Sequence, residues 1–158
     1  MRRLLFAIAA WSFQSLAIAN PTLLPNFDSL LGALRSGRVV KGVYTYAKCT
    51  LRPEDPNTPA TPAPNAIGGN TFQTWEYFAP YLMGNPNGFL STSETVFVSH
   101  KRYGYINNYG RTKITDNNTV EILIDYLDPK TFDVKMHEII DCQISNGHDG
   151  HGAAFYAQ

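Results

Sequence analysis

The densest run of side chains able to do chemistry is Asn146-Gly147-His148-Asp149-Gly150-His151-Gly152. Two imidazoles and a carboxylate within four positions could supply ligands to a metal ion, and the glycines would let the chain wrap tightly. Histidines three positions apart share a face only on a helix, however, and glycine at 147, 150 and 152 works against a helix. The run therefore reads as a solvated turn. His148, Asp149 and His151 stand as weak candidates for a metal, and no metal or cofactor is expected. A cysteine nucleophile at Cys49 or Cys142 would need a neighbouring base to hold its thiolate, and nothing local places His100 or His137 beside either sulfur; both histidines read as strand-surface residues. Glu76 and Glu94 could act as a pair of carboxylates in glycoside hydrolysis, yet no local rule fixes their separation. No catalytic residue is assigned, and the chain is not expected to be an enzyme.

The start of the chain says where this chemistry would operate. Arg2 and Arg3 form a positive region, residues 4–13 are apolar except for Ser12, and Ala17-Ile18-Ala19 is a small-x-small cleavage site. Residues 1–19 read as a signal peptide and 20–158 as one domain. A membrane span needs about 20 apolar residues, and Gln14 and Ser15 end this run early. The paired arginines lack the flanking residues of the twin-arginine signal. Export through the general secretory route is expected, to the periplasm or the outside of the cell. In such a compartment two cysteines form one disulfide by default, Cys49 with Cys142, the alternative being two buried thiols.

Local patterns say which elements must position these residues. Phe27, Leu30, Leu31 and Leu34 recur at i, i+3, i+4 and i+7, one face of a helix. Asn26 is placed to cap its start, Arg35 favours its end, and Gly37 supplies the stop. The rest reads as strand and turn. Residues 39–51 put Val39, Val43, Thr45, Ala47 and Cys49 on one side, and residues 71–78 read as a further strand. Residues 93–100 and 103–114 follow, separated by a Lys101-Arg102 turn. Val120, Ile122, Ile124 and Tyr126 then alternate against polar neighbours, as do Phe132, Val134 and Met136, leading on to a strand at 153–156 expected to turn back beside 134–144. The fold class expected is α+β, mainly antiparallel β in a meander or barrel-like sheet, with one short N-terminal helix. Prolines at 53, 56, 59 and 62 match the three-residue period of polyproline II. Residues 53–64 read as a solvated loop, the alternative being a PxxP ligand.

Aromatic residues make up 13% of the chain, enough to ask what they face. Trp75 and Tyr77 crowd one segment and Tyr103, Tyr105 and Tyr109 another. Together they form the candidate binding face, lining a small cavity or meeting a protein, against ordinary cross-strand packing. Thirteen basic residues balance thirteen acidic ones, which removes the electrostatic case for nucleic acid or an anionic membrane surface.

Several segments, in order, resemble one family. Leu30-Leu31-Gly32-Ala33-Leu34-Arg35-Ser36-Gly37 is similar to its helix-ending segment and Tyr46-Ala47-Lys48-Cys49-Thr50-Leu51 to its first cysteine strand. Asn65-Ala66-Ile67-Gly68-Gly69 is similar to its turn and Trp75-Glu76-Tyr77-Phe78 to its aromatic strand. Ser91, Ser93-Glu94-Thr95, Leu127-Asp128-Pro129 and Cys142 before a Gly-rich ending complete the order. The chain resembles the VirK family of small exported bacterial proteins over residues 27–156. The resemblance implies association with bacterial virulence and brings no catalytic residues with it. The expected function is that of an exported VirK-like protein acting by contact with an unidentified protein or small ligand. A β-barrel small-molecule carrier is the alternative, and a secreted hydrolase comes third.

Overall fold

The computed structural model describes residues 20–158, so the signal peptide expected at 1–19 lies outside the described residues. The helix α1 spans Phe27–Arg35. The Asn26 side chain accepts from the Ser29 N–H at 2.9 Å, and the Ser29 hydroxyl fills the same cap from the other side. A long-range contact fixes the helix start, since the Phe27 N–H donates to the Asn118 side chain at 2.8 Å. At the far end Gly37 adopts φ +78° while Arg38 N–H donates to the Ala33 carbonyl, the αL stop that glycine makes cheap. A nine-residue helix is marginal alone. Burial of Phe27, Leu30, Leu31, Ala33 and Leu34 holds it, with the larger side chains contributing roughly 1.5–3 kcal/mol each.

Among the described residues eleven strands build two antiparallel sheets. They are β1 (Thr22–Leu24), β2 (Val40–Thr45), β3 (Thr50–Arg52), β4 (Thr61–Pro62), β5 (Ile67–Thr71), β6 (Glu76–Phe78), β7 (Phe89–His100), β8 (Gly104–Thr115), β9 (Thr119–Leu127), β10 (Val134–Gln143) and β11 (Ala153–Ala157). The smaller sheet runs β1-β11-β2-β5 and the larger β4-β3-β10-β9-β8-β7-β6. Strands β7 to β10 form the expected meander, each pairing with the next. Neither sheet closes into a barrel. The sheets and the helix share one core, in which Leu30, Val40, Leu90, Ile114, Val120, Ile140 and Phe155 are fully buried.

Several local expectations are corrected. Residues 39–51 do not run as one strand: a 3-10 turn at Tyr46–Lys48 carries the chain from β2 in the small sheet to β3 in the large one. On β2 the buried side is Val40, Gly42 and Tyr44, so Val39 and Val43 face outward. The 71–78 run likewise divides, β5 ending in one sheet and β6 beginning in the other. Strand β11 does not return beside β10. It inserts between β1 and β2, touching the end of β10 only through the parallel bridge Ile144–Ala153. The Pro-rich segment is solvated through Ala60, but Thr61 and Pro62 then pair with β3 and Ala63 is buried.

Candidate functional site

Cross-strand register sorts the large sheet into two faces, because directly opposed residues share a side. On the inner face Thr92, Thr112, Ile122 and Ile140 form one row. Glu94, Gly110, Ile124 and Glu138 form the next, and Val96, Asn108, Tyr126 and Met136 the one after. The small sheet covers the first of these rows and overhangs the others, leaving a cleft of about 200 Å³. Its large-sheet wall is Glu94, Val96, Asn108, Gly110, Thr112, Ile122 and Ile124; its other wall is Tyr44, Tyr46, Gly68, Gly69 and Asn70.

The two tyrosines stack with ring centroids 6.4 Å apart and planes 13° from parallel. Strand β5 makes room for them by having no side chain at 68, where an added Cβ would stand 2.3 Å from the Tyr46 hydroxyl. The buried Tyr44 hydroxyl donates to Asn70 Oδ1 at 2.8 Å and lies 3.4 Å from Thr112 Oγ1, tying the two sheets together. Burial pushes its pKa well above the ordinary tyrosine value, only partly offset by the Thr112 contact. Tyr46 shifts the same way, through burial and then the nearby Glu94 carboxylate. Both hydroxyls therefore stay protonated near neutral pH. The cleft offers neutral hydroxyl and amide groups, stacked rings, bare glycine backbone and one carboxylate. That is a set for hydrogen bonding and stacking.

The residues singled out in the sequence lie elsewhere. Trp75 and Tyr77 pack against the core, with Tyr77 facing the Phe27 ring at 6.4 Å and the Arg35 guanidinium at 4.9 Å. Tyr105 and Tyr109 lie on the opposite, outer face of the sheet, opposed to Ser99 and Thr95. Tyr103 sits in the β7–β8 turn against His100 and Tyr126. Tyr77 opposes Leu90 and Tyr105 opposes Ser99, nine residues further along β7, a span of about 30 Å. The five aromatics thus share no single face. Glu76 opposes Ser91 on the outer face whereas Glu94 points inward, so the sheet itself separates the two carboxylates.

His137 lies on the outer face with Nδ1 2.6 Å from Asp125 Oδ1. In the 146–152 turn Asp149 is engaged by the chain around it: it accepts from the Asn146 and His151 N–H groups and the Ser145 hydroxyl. Those bonds, led by the Asn146 N–H, hold its pKa at about 2. His151 Nδ1 faces the Ile144 carbonyl at 3.1 Å. Among the described residues no three His, Cys, Asp or Glu side chains converge on one point. Cys49 and Cys142 are joined in a disulfide.

Residues 23–132 match the family model described as VirK protein. The chain belongs to the VirK family. The match takes in every residue lining the cleft and stops before Cys142. A similar solved structure is that of lpg1832, a VirK family protein from Legionella pneumophila, with a TM-score of 0.64 and 15% identity over 84% of this chain and 97% of that one. At that identity the likeness speaks to the fold. No curated protein matches the chain. No helix among the described residues is long and apolar enough to cross a membrane.

Tyr44, Asn70, Asn108 and Gly110 are not among the residues the sequence singles out, and Glu94 enters there as half of a carboxylate pair and within the Ser93-Glu94-Thr95 segment. One signal pointed to them. Gly68 and Gly69, similar to part of a turn in the sequence, lie within strand β5, where such a pair marks a place that another group approaches closely.

Proposed function

We propose that this VirK family protein is exported, associated with virulence as the family resemblance implies, and acts by binding rather than catalysis, with the cleft between its two sheets as the recognition site. The observation that carries this reading is the cleft lining: stacked Tyr44 and Tyr46 over Gly68, facing Asn108, Thr112 and Glu94. Pockets for drug-sized ligands run to roughly 300–1,000 Å³, so a cleft of about 200 Å³ takes something smaller. A neutral, hydroxyl- or amide-bearing ring fits the donors, acceptors and flat surfaces on offer. It would come as a free ligand or as a residue presented by a partner. The disulfide and the N-terminal signal pattern support export.

The test is amide-resolved NMR of the exported protein titrated with neutral monosaccharides and simple amides. Binding should move the signals of Gly68, Gly69, Asn70 and Gly110 together. Shifts confined to other surfaces, or none with any of these probes, would overturn the assignment. The intact mass of the same preparation should correspond to a chain beginning at Asn20, and retention of Met1 would contradict export by this signal.

A further inference from the structure

Strand β7 has two edges, and only one is fully used. Strand β8 pairs along its whole length from Phe89 to His100. On the other edge β6 covers only Phe89, Leu90 and Ser91. Among the described residues no strand pairs with that edge from 93 to 100. A run of unpaired backbone N–H and C=O groups is a template for another strand, and proteins usually blunt it with lysine, proline or a bulge. The segment Ser-Glu-Thr-Val-Phe-Val-Ser-His has neither lysine nor proline, and its β7–β8 register is unbroken. Val96 and Phe97 are 48% and 61% exposed, so apolar area lies along the open edge.

The segment is also nearly symmetric about its own middle. Counting outward from Phe97, Val96 mirrors Val98, Thr95 mirrors Ser99 and Glu94 mirrors His100. We propose that a second copy of the chain pairs antiparallel with this edge about a two-fold axis at Phe97, joining two seven-stranded sheets into one. In that register Phe97 meets the partner's Phe97, Val96 meets the partner's Val98, and Glu94 meets the partner's His100. A two-fold interface needs a self-complementary patch, and this strand is one. The ends of the open segment set the same register. β6 closes it at one end and the turn after His100 closes it at the other, so the free stretch is centred near Phe97.

The polar pair is matched in chemistry. The Arg102 and Tyr103 N–H groups both donate to His100 Nδ1, at 3.2 and 3.3 Å. The ring hydrogen is thereby placed on Nε2, which is left to donate. Glu94 forms no ion pair among the described residues and supplies the acceptor. On the outer face Phe97 already stacks on Tyr105, centroids 5.5 Å apart and planes within 6°, and the axis would extend that pair into a ladder of four rings. Because Glu94 also lines the cleft, pairing would bring the partner's His100 to its rim. The dimer does not depend on what the cleft binds.

Sedimentation velocity on the exported, oxidised protein should show a concentration-dependent monomer–dimer equilibrium up to millimolar concentration. Phe97→Lys sets two like charges face to face at the axis and should weaken the dimer by about tenfold or more. Under mild oxidation Phe97→Cys should cross-link to itself readily and Thr95→Cys should not, since Thr95 faces the partner's Ser99. If Phe97→Lys does not fold, the cross-linking comparison decides. A protein that stays monomeric at every concentration, a folded Phe97→Lys variant that dimerises unchanged, or equal cross-linking at 95 and 97 would overturn the proposal.

Discussion

Cys49 and Cys142 face each other as the cross-strand pair next beyond Thr50 and Asp141, with Cα atoms 4.7 Å apart. The bridge fastens the short strand β3 to β10, at the point where the chain has just crossed from the small sheet. It links residues 93 positions apart, and closing so long a loop constrains the unfolded chain strongly. Replacing both cysteines by alanine should cost about 2–4 kcal/mol. Urea unfolding of the oxidised protein and the double variant gives the comparison, and a difference below about 0.5 kcal/mol would show that the bridge is dispensable.

Gly152 packs directly on this bridge. An added Cβ would stand 2.3 Å from Cys49 Sγ and 2.9 Å from the Thr45 carbonyl oxygen, and neither atom can swing aside. The Gly152 carbonyl also accepts the Thr45 N–H at 2.8 Å, so the backbone cannot retreat without losing that bond. Gly152→Ala should destabilise the fold by about 2 kcal/mol or more, within the range for overpacking. Thermal unfolding that leaves Tm unchanged would refute this packing account.

Asp149 predicts a pH dependence with a definite sign. Its carboxyl titrates at about 2 in the fold, below its ordinary value near 4. The ionised form is therefore favoured by folding, and its contribution is complete above pH of about 4 and lost as the pH falls towards about 2. Asp149→Asn should flatten that part of the acid unfolding curve. Chelator should leave Tm unchanged in both proteins. A chelator-sensitive Tm abolished by replacing His148 and His151 would point instead to a metal.

The Pro-rich segment should divide sharply in its tolerance. Residues 54–60 are exposed throughout, whereas Ala63 is buried and donates its N–H to the Cys49 carbonyl at 3.1 Å. Trimming within 54–60 should change unfolding free energy by under about 1 kcal/mol, because loop length enters only logarithmically. Extending the deletion through Ala63 should cost clearly more, and equal costs would contradict the boundary.

What could be read locally was read well. Helix α1 spans Phe27–Arg35 where the 3.6-residue period and Asn26 placed it, because both signals lie within a few residues. The meander was legible for a similar reason, since its strands are long, Val120 to Tyr126 alternates against polar neighbours, and short turns connect them. The pairing of Cys49 with Cys142 was legible because the sequence holds only two cysteines, which leaves one possible bridge. Long-range choices were not legible. Nothing in Ala153–Ala157 says that it lies between β1 and β2, since small apolar residues fit any central strand. Val39 and Val43 share one side of the chain as their spacing says, but the spacing does not tell which side is buried, and the core takes Val40 and Tyr44. The aromatic residues looked clustered along the chain, but their alternation and the length of β7 send them to two faces. The cleft draws its walls from strands separated by as many as 80 positions of sequence (Tyr44 to Ile124), and only its glycines hinted at it.

Gly110 gives the most direct test of the cleft. A Cβ added there meets nothing within 4 Å, so Gly110→Leu should fold normally while its side chain fills the space opposite Tyr44 and Tyr46. The measurement is the NMR titration with neutral monosaccharides and amides, run in parallel on the unaltered protein and on Gly110→Leu. Binding at Gly68–Asn70 in the first, and its loss in the second at unchanged Tm, is the result the recognition site requires. Equal binding by both proteins would place the ligand elsewhere and contradict it.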